Sequence, residues 1–183
     1  GNLFTRTNAK TGGLAITMPT IFTCGALREG GGTRSEKCEE CCYADGGVMN
    51  TATSIWRSVQ NYYMVHRYPD WKGMNEEKRG EWTDQLAERS FKQSLSYLAS
   101  QEKEGVPPKD IDTYIRFSVA GDLTPRYLDL TNRIASKIET WERENGREGF
   151  FKPIIYSRSA ESLERVHPRI QRVLSLDRDL YSK

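Results

Sequence analysis

At 183 residues the chain has the size of one domain, 1–183. It is polar, with 28% charged residues and a mean hydropathy of −0.70, yet 10% aromatics are enough to build a core. No apolar run approaches the roughly 18 residues that a bilayer span needs, which excludes a transmembrane segment. Twenty-seven Lys and Arg stand against 25 Asp and Glu. That balance argues against a general electrostatic grip on nucleic acid, while leaving room for a local basic patch. The start lacks the basic-then-apolar layout of a secretory signal, and Gly1 in place of Met points to a processed N-terminus.

In chain order, the run Leu14-Ala15-Ile16-Thr17-Met18 ending at Pro19 reads as a first strand. Residues 24–49 are rich in glycine and hold every cysteine, so they read as a loop. A helix is expected over about 50–67, with Ile55, Val59 and Tyr62 on one face, Trp56 and Tyr63 on its flank, and Pro69 as its stop. A longer helix is expected over about 76–103, where Ala87, Phe91, Leu95 and Leu98 recur at helical steps before Gly105 and Pro107-Pro108. Tyr114–Val119 reads as a strand closed by Gly121. Thr124-Pro125 then opens a helix, continued by Tyr127, Leu130, Ile134, Ile138 and Trp141. Further strands are expected at Pro153–Ser157 and Arg172–Leu176, joined by a short helix near Ser159–Val166.

This order is βαβ arithmetic and predicts an α/β fold with a short parallel sheet of about four strands. In such sheets the working groups gather beyond the carboxyl ends of the strands. The cysteine loop, Ala120-Gly121-Asp122, Ser157-Arg158-Ser159 and Asp177-Arg178-Asp179 should therefore share one rim.

The cysteines carry the strongest chemical signal. Cys24 is followed by thirteen residues, Cys38, two residues, Cys41, then Cys42, with none elsewhere. A secreted disulfide framework would spread its cysteines along the chain. Clustering favours a metal centre in a reducing compartment, and neither histidine is near enough in sequence to complete a Cys–His zinc set. An iron–sulfur cluster is the first reading, zinc the second, and incidental buried thiols the third. Cys24, Cys38 and Cys42 form the best three-ligand set. Adjacent thiols point apart, so Cys41 is either a fourth ligand or a spectator.

The blocks Asn8-x-Lys10-Thr11-Gly12, Thr23-Cys24 and Cys38-x3-Cys42-Tyr43-Ala44 resemble the phage "gene product 88" family. Two later segments match in order, Ser118-Val119-Ala120-Gly121-Asp122 and Tyr156-Ser157-Arg158-Ser159, so the resemblance covers about residues 8–159. Ser118 and Ala120 stand where that family reads His and Ser, and Gly25 stands where Pro is common. The resemblance implies a phage protein working in the host cytoplasm. The architecture is also similar to a truncated radical S-adenosylmethionine (SAM) barrel, an incomplete or half TIM-like barrel. Those enzymes hold a [4Fe-4S] cluster on three cysteines, which leaves one iron open for the amino acid group of SAM. Their spacing would place a third cysteine at position 45, where this chain has Asp45.

By that resemblance Gly121, Asp122, Ser157 and Arg158 are candidate cofactor contacts, with a small molecule at the open cluster face. Asp122 would serve equally as a helix cap, Arg158 as a surface ion pair, and Ser157 and Ser159 as caps of the next helix. His66 and His167 read as structural, Tyr43 as a shield for a cluster, and the charged run 75–89 as a solvated helix face. Two function classes stay open. One is an enzyme using the open iron. The other is a non-catalytic iron–sulfur or zinc protein that binds a host or phage partner.

Overall fold

A computed structural model describes residues 2–6, 12–19, 51–117, 123–157 and 159–174. Within them a five-stranded sheet runs in the order β1 (Thr5–Arg6), β2 (Leu14–Ala15), β3 (Tyr114–Phe117), β4 (Lys152–Ser157), β5 (Gln171–Leu174). β1 is antiparallel to β2, and the three remaining pairs are parallel. The helices are α1 (Ala52–Tyr62), a π-helical turn (Tyr63–Arg67), α2 (Tyr68–Trp71), α3 (Glu76–Lys103), α4 (Pro125–Glu144) and α5 (Ala160–Glu164). The fold is thus mixed α/β with a mostly parallel sheet, as expected, plus one strand that the sequence reading lacks. β1 is only two residues long. It is held from outside, since Phe4 N–H donates to Gln93 Oε1 and Gln93 Nε2 donates back to the Phe4 carbonyl.

One sheet face is buried and the other half open. Leu14, Ile16, Ile115, Phe117 and Ile155 pack into a single core with Leu86, Phe91 and Leu98 of α3 and Leu130, Ile134 and Ile138 of α4. The alternating strand positions Arg116, Ile154 and Tyr156 remain partly exposed, the period-2 signature of a sheet packed on one side. Gly12 and Gly13 sit at φ +56° and +77°, where the chain presses on the segment leading into β3. A Cβ on Gly13 would lie 2.3 Å from the Tyr114 carbonyl oxygen, so only glycine fits there.

α3 and α4 follow their predicted spans, because both carry strong end signals. Asn75 caps α3 by accepting from Lys78 N–H, and Thr124 caps α4 by accepting from Tyr127 N–H. Part of the charged run 75–89 is not merely solvated: Lys137 of α4 bridges Asp84 at 3.3 Å and Glu88 at 3.2 Å. At the far end of α4, Glu142 is buried and accepts two hydrogen bonds from Arg169, at 2.8 and 2.7 Å, and one from Phe151 N–H. That bidentate pair joins α4 to the start of β4 and the approach to β5.

The expected first helix departs in two ways. Pro69 does not stop it: the helix passes through a π turn, closed by Tyr68 N–H on the Tyr63 carbonyl, and Pro69 lies in the first turn of α2. The ring is accommodated because the π turn shifts the register just before it, and the Met64 carbonyl accepts from Trp82 Nε1. The buried face is also shifted: Tyr62 is buried and Val59 half-buried as expected, but Ser58 and Asn61 turn inward beside them while Ile55 is 46% exposed. Asn61 decides the rotation by donating to the carbonyls of Leu3 and Thr17.

Candidate functional site

The parallel register brings the chain out of β2, β3, β4 and β5 at one edge of the sheet. Phe117 pairs with Ile155 and Ser157 with Leu174, and the ladder between β2 and β3 extends to Ile16 N–H on the Arg116 carbonyl at 2.9 Å. Beyond these strand ends come the segments singled out in the sequence. Cys24, Cys38, Cys41, Cys42, Gly121, Asp122 and Arg158 lie outside the described residues. The described residues bracket them.

Ser157, the last residue of β4, is buried, and its Oγ accepts a hydrogen bond from Ser159 N–H at 3.1 Å. Ser159 Oγ in turn accepts from Ser162 N–H at 3.1 Å and caps α5. The expected capping role of Ser159 is thus observed, and Ser157 braces the same turn one step earlier. A hydroxyl that accepts one bond still has a proton to donate.

After β3 the chain returns at Leu123 and Thr124, and here the structure adds what sequence reasoning missed. Thr124 Oγ, besides capping α4, lies 2.5 Å from His66 Nε2. His66 is buried on the π turn, its Nδ1 is 3.2 Å from the Tyr62 carbonyl, and its ring stacks on Tyr62 at 4.4 Å between centroids. The simplest consistent tautomer puts the proton on Nδ1 and lets Nε2 accept from Thr124. Arg126 adds a second tie, donating to the His66 carbonyl at 2.6 Å and to Asp70 at 2.8 Å. Asp70 also meets Arg79 at 3.1 Å. The Arg126 hydrogen bond, helped by the charges of Arg126, Arg79 and Arg67, holds the Asp70 carboxyl below its ordinary range. No sequence signal links positions 66 and 124. Only the packing of the π turn against the start of α4 reveals the pair.

This geometry bears on which group the cysteines could hold. Both ring nitrogens of His66 are engaged within the protein, and His167 Nδ1 accepts from Arg169 N–H while its Nε2 lies 3.9 Å from Glu139. These contacts use the histidines inside the protein, which disfavours a mixed Cys–His zinc site and leaves an all-thiolate zinc site and an iron–sulfur cluster on equal terms. Among the described residues there is no group of three His, Cys, Asp or Glu able to hold a metal ion. No described helix is long and apolar enough to cross a membrane. No family model, curated protein or solved structure matches the chain.

Proposed function

We propose that the chain is a phage-type iron–sulfur protein that carries a [4Fe-4S] cluster on Cys24, Cys38 and Cys42, acts in the host cytoplasm, and binds a small zwitterion beside it. The observation that carries this reading is the clustering of all four cysteines between positions 24 and 42 with no histidine nearby in sequence; the hydrogen bonds of His66 and His167 within the protein support it against a mixed Cys–His zinc site. The strand order supports the location: consecutive parallel strands without a switch are the arrangement of a barrel segment, whose ligands sit at the carboxyl edge. The finer reading, a half TIM-like barrel related to radical SAM enzymes, rests on that order and on the cysteine loop following the first parallel strand.

When bound, such a cluster supplies an open coordination position and one-electron chemistry. The chain's own residues would bind and orient. In this reading Asp122 would pair with an ammonium, Arg158 with a carboxylate in bidentate fashion, Gly121 would let the backbone approach, and Ser157 holds the turn into Ser159. Each charge-assisted contact is worth roughly 1.5–3 kcal/mol when shielded from water. SAM is the ligand of that chemistry that the resemblance implies.

Anaerobic purification tests the reading. Brown protein with stoichiometric iron and acid-labile sulfide is expected. Cys24→Ala, Cys38→Ala and Cys42→Ala should each lose the cluster, and Cys41→Ala decides whether that thiol is a ligand. Asp122→Ala and Arg158→Ala should keep the iron and weaken SAM binding about tenfold, as read by calorimetry. Stoichiometric zinc without sulfide overturns the cluster, and absence of any SAM heat overturns the ligand.

A further inference from the structure

The helical segment from Tyr63 to Trp71, tied inward through His66, also carries large side chains that stay exposed. Tyr63, Arg67 and Trp71 recur at steps of four and are all exposed, Tyr63 at 42% and Trp71 at 69%. They stand an aromatic, a cation and an aromatic in line over roughly 12 Å of helix. Tyr68 links them, 6.3 Å from both the Tyr63 and Trp71 ring centroids, and Lys72 lays its ammonium over Trp71 at 4.2 Å. Beside this line Arg79 and Arg126 converge on one oxygen of Asp70. Arg79 and Arg126 meet the Asp70 carboxylate with Arg67 close by, and Lys72 adds a fourth cation on the same segment, a local surplus that the near-zero charge of the whole chain conceals.

Tyr63 and Trp71 touch Tyr68 and Lys72 but are not in the buried core cluster of the described residues, and an exposed cluster of large aromatics is a common mark of a binding face. A surplus of guanidinium and ammonium groups attracts anions. A partner that offers flat π surfaces and regularly spaced negative charges satisfies both features, with bases stacking on tryptophan and tyrosine while phosphates meet arginine and lysine. We infer that the face built by Tyr63, Arg67, Trp71 and Lys72, with Arg79 and Arg126 at its side, binds single-stranded nucleic acid.

The charge surplus is modest. Asp70 lies within it and Glu76 and Glu77 open the next helix, so stacking should contribute more than phosphate contact. Binding should therefore be sequence-tolerant, and prefer single strands, whose bases are open to stack, over duplex. Its salt dependence should be shallow, with a log–log slope on the order of −2 for about three phosphates. The reading does not use the cluster, because Tyr63, Arg67, Trp71 and Lys72 are not among its candidate contacts, although Arg126 sits near the start of α4, two residues past Thr124.

The test is fluorescence anisotropy of labelled twelve-residue oligothymidine and oligouridylate against the full chain as purified at low salt, with tryptophan quenching as a second signal. Saturable binding of at least one oligomer is expected, with duplex of equal length at least fivefold weaker; the tighter arm tells DNA from RNA. Trp71→Ala should weaken binding about tenfold without changing the far-ultraviolet circular dichroism, as suits an exposed side chain. Arg67→Ala should weaken it less and flatten the salt slope by about 0.7. No saturable binding, or binding that Trp71→Ala and Tyr63→Ala leave intact, overturns the proposal and gives the face to a protein partner. Equal competition, phosphate for phosphate, by inorganic polyphosphate overturns the stacking role.

Discussion

α4 and α1 are both amphipathic, and they obey different masters. In α4 the apolar positions of the sequence are the buried ones: Tyr127, Leu130, Ile134 and Ile138 are wholly sealed in the core. In α1 the apolar residues Ile55 and Trp56 face out, while Ser58 and Asn61 face in. α4 spans the middle of the parallel sheet and packs along α3, so area decides its rotation and the largest apolar stripe wins. α1 lies over the β1–β2 edge, where the carbonyls of Leu3 and Thr17 need donors, and Asn61 supplies them. A buried carbonyl left unpaired costs about 1–3 kcal/mol, comparable with burying one more aliphatic side chain. Periodicity locates a helix; its partners choose the inward side.

Substitution of the two stripes should separate them most sharply. Ile134→Ala removes three carbons from a fully buried site and should cost about 2–5 kcal/mol. Ile55→Ala, chemically identical, should stay within about 0.5 kcal/mol because the side chain is half exposed. Urea denaturation of both variants measures the contrast. Equal losses would mean that α1 packs on its apolar face after all.

Much of the fold was legible because its end signals are local. Asn75 and Gly105 bound α3, Thr124-Pro125 opens α4, and β3 to β5 lie within one or two residues of the expected runs. What escaped was set by distant partners. β1 exists because Gln93 brackets Phe4, Pro69 is tolerated because a π turn precedes it, and His66 meets Thr124 only through the packing of two helices. Of the candidate site, Ser157 is the residue whose surroundings are described; the cap of α5 was readable at Ser159, whereas Ser157 accepts from Ser159 N–H instead of capping the helix itself. The remaining candidates rest on the sequence itself.

A second, smaller effect tests the polar side of the comparison. Asn61→Ala should destabilise by about 1–3 kcal/mol, since it strands two carbonyls that the fold keeps from water. Asn61→Leu should do no better despite its larger apolar area. If Asn61→Leu restores wild-type stability in urea, hydrogen bonding does not set the rotation of α1.

The smallest effect concerns the charged tie between α2 and α4. The Asp70 carboxyl is held below its ordinary range, chiefly by the Arg126 hydrogen bond, so the folded state favours its charged form. Its contribution is present above the unfolded-state value near 4 and is lost as pH falls through the lower folded value. Because Asp70 is largely exposed, the change should be a few tenths of a kcal/mol. Denaturation midpoints at pH 6 and pH 3 should converge slightly in Asp70→Asn relative to wild type, and an unchanged gap would remove Asp70 from the account.

The π turn at Tyr63–Arg67 works as a phase shifter. By spending one residue more than an α-helix would over the same rise, it rotates everything downstream by roughly 100° about the helix axis. That rotation lets His66 lie under Thr124 while Asp70 reaches Arg126 and Trp71 looks outward. The number of residues between Tyr62 and Asp70 is therefore as much a part of the design as their kinds. A deletion there, even of an exposed side chain, would leave the helix intact and turn its contacts to the wrong neighbours.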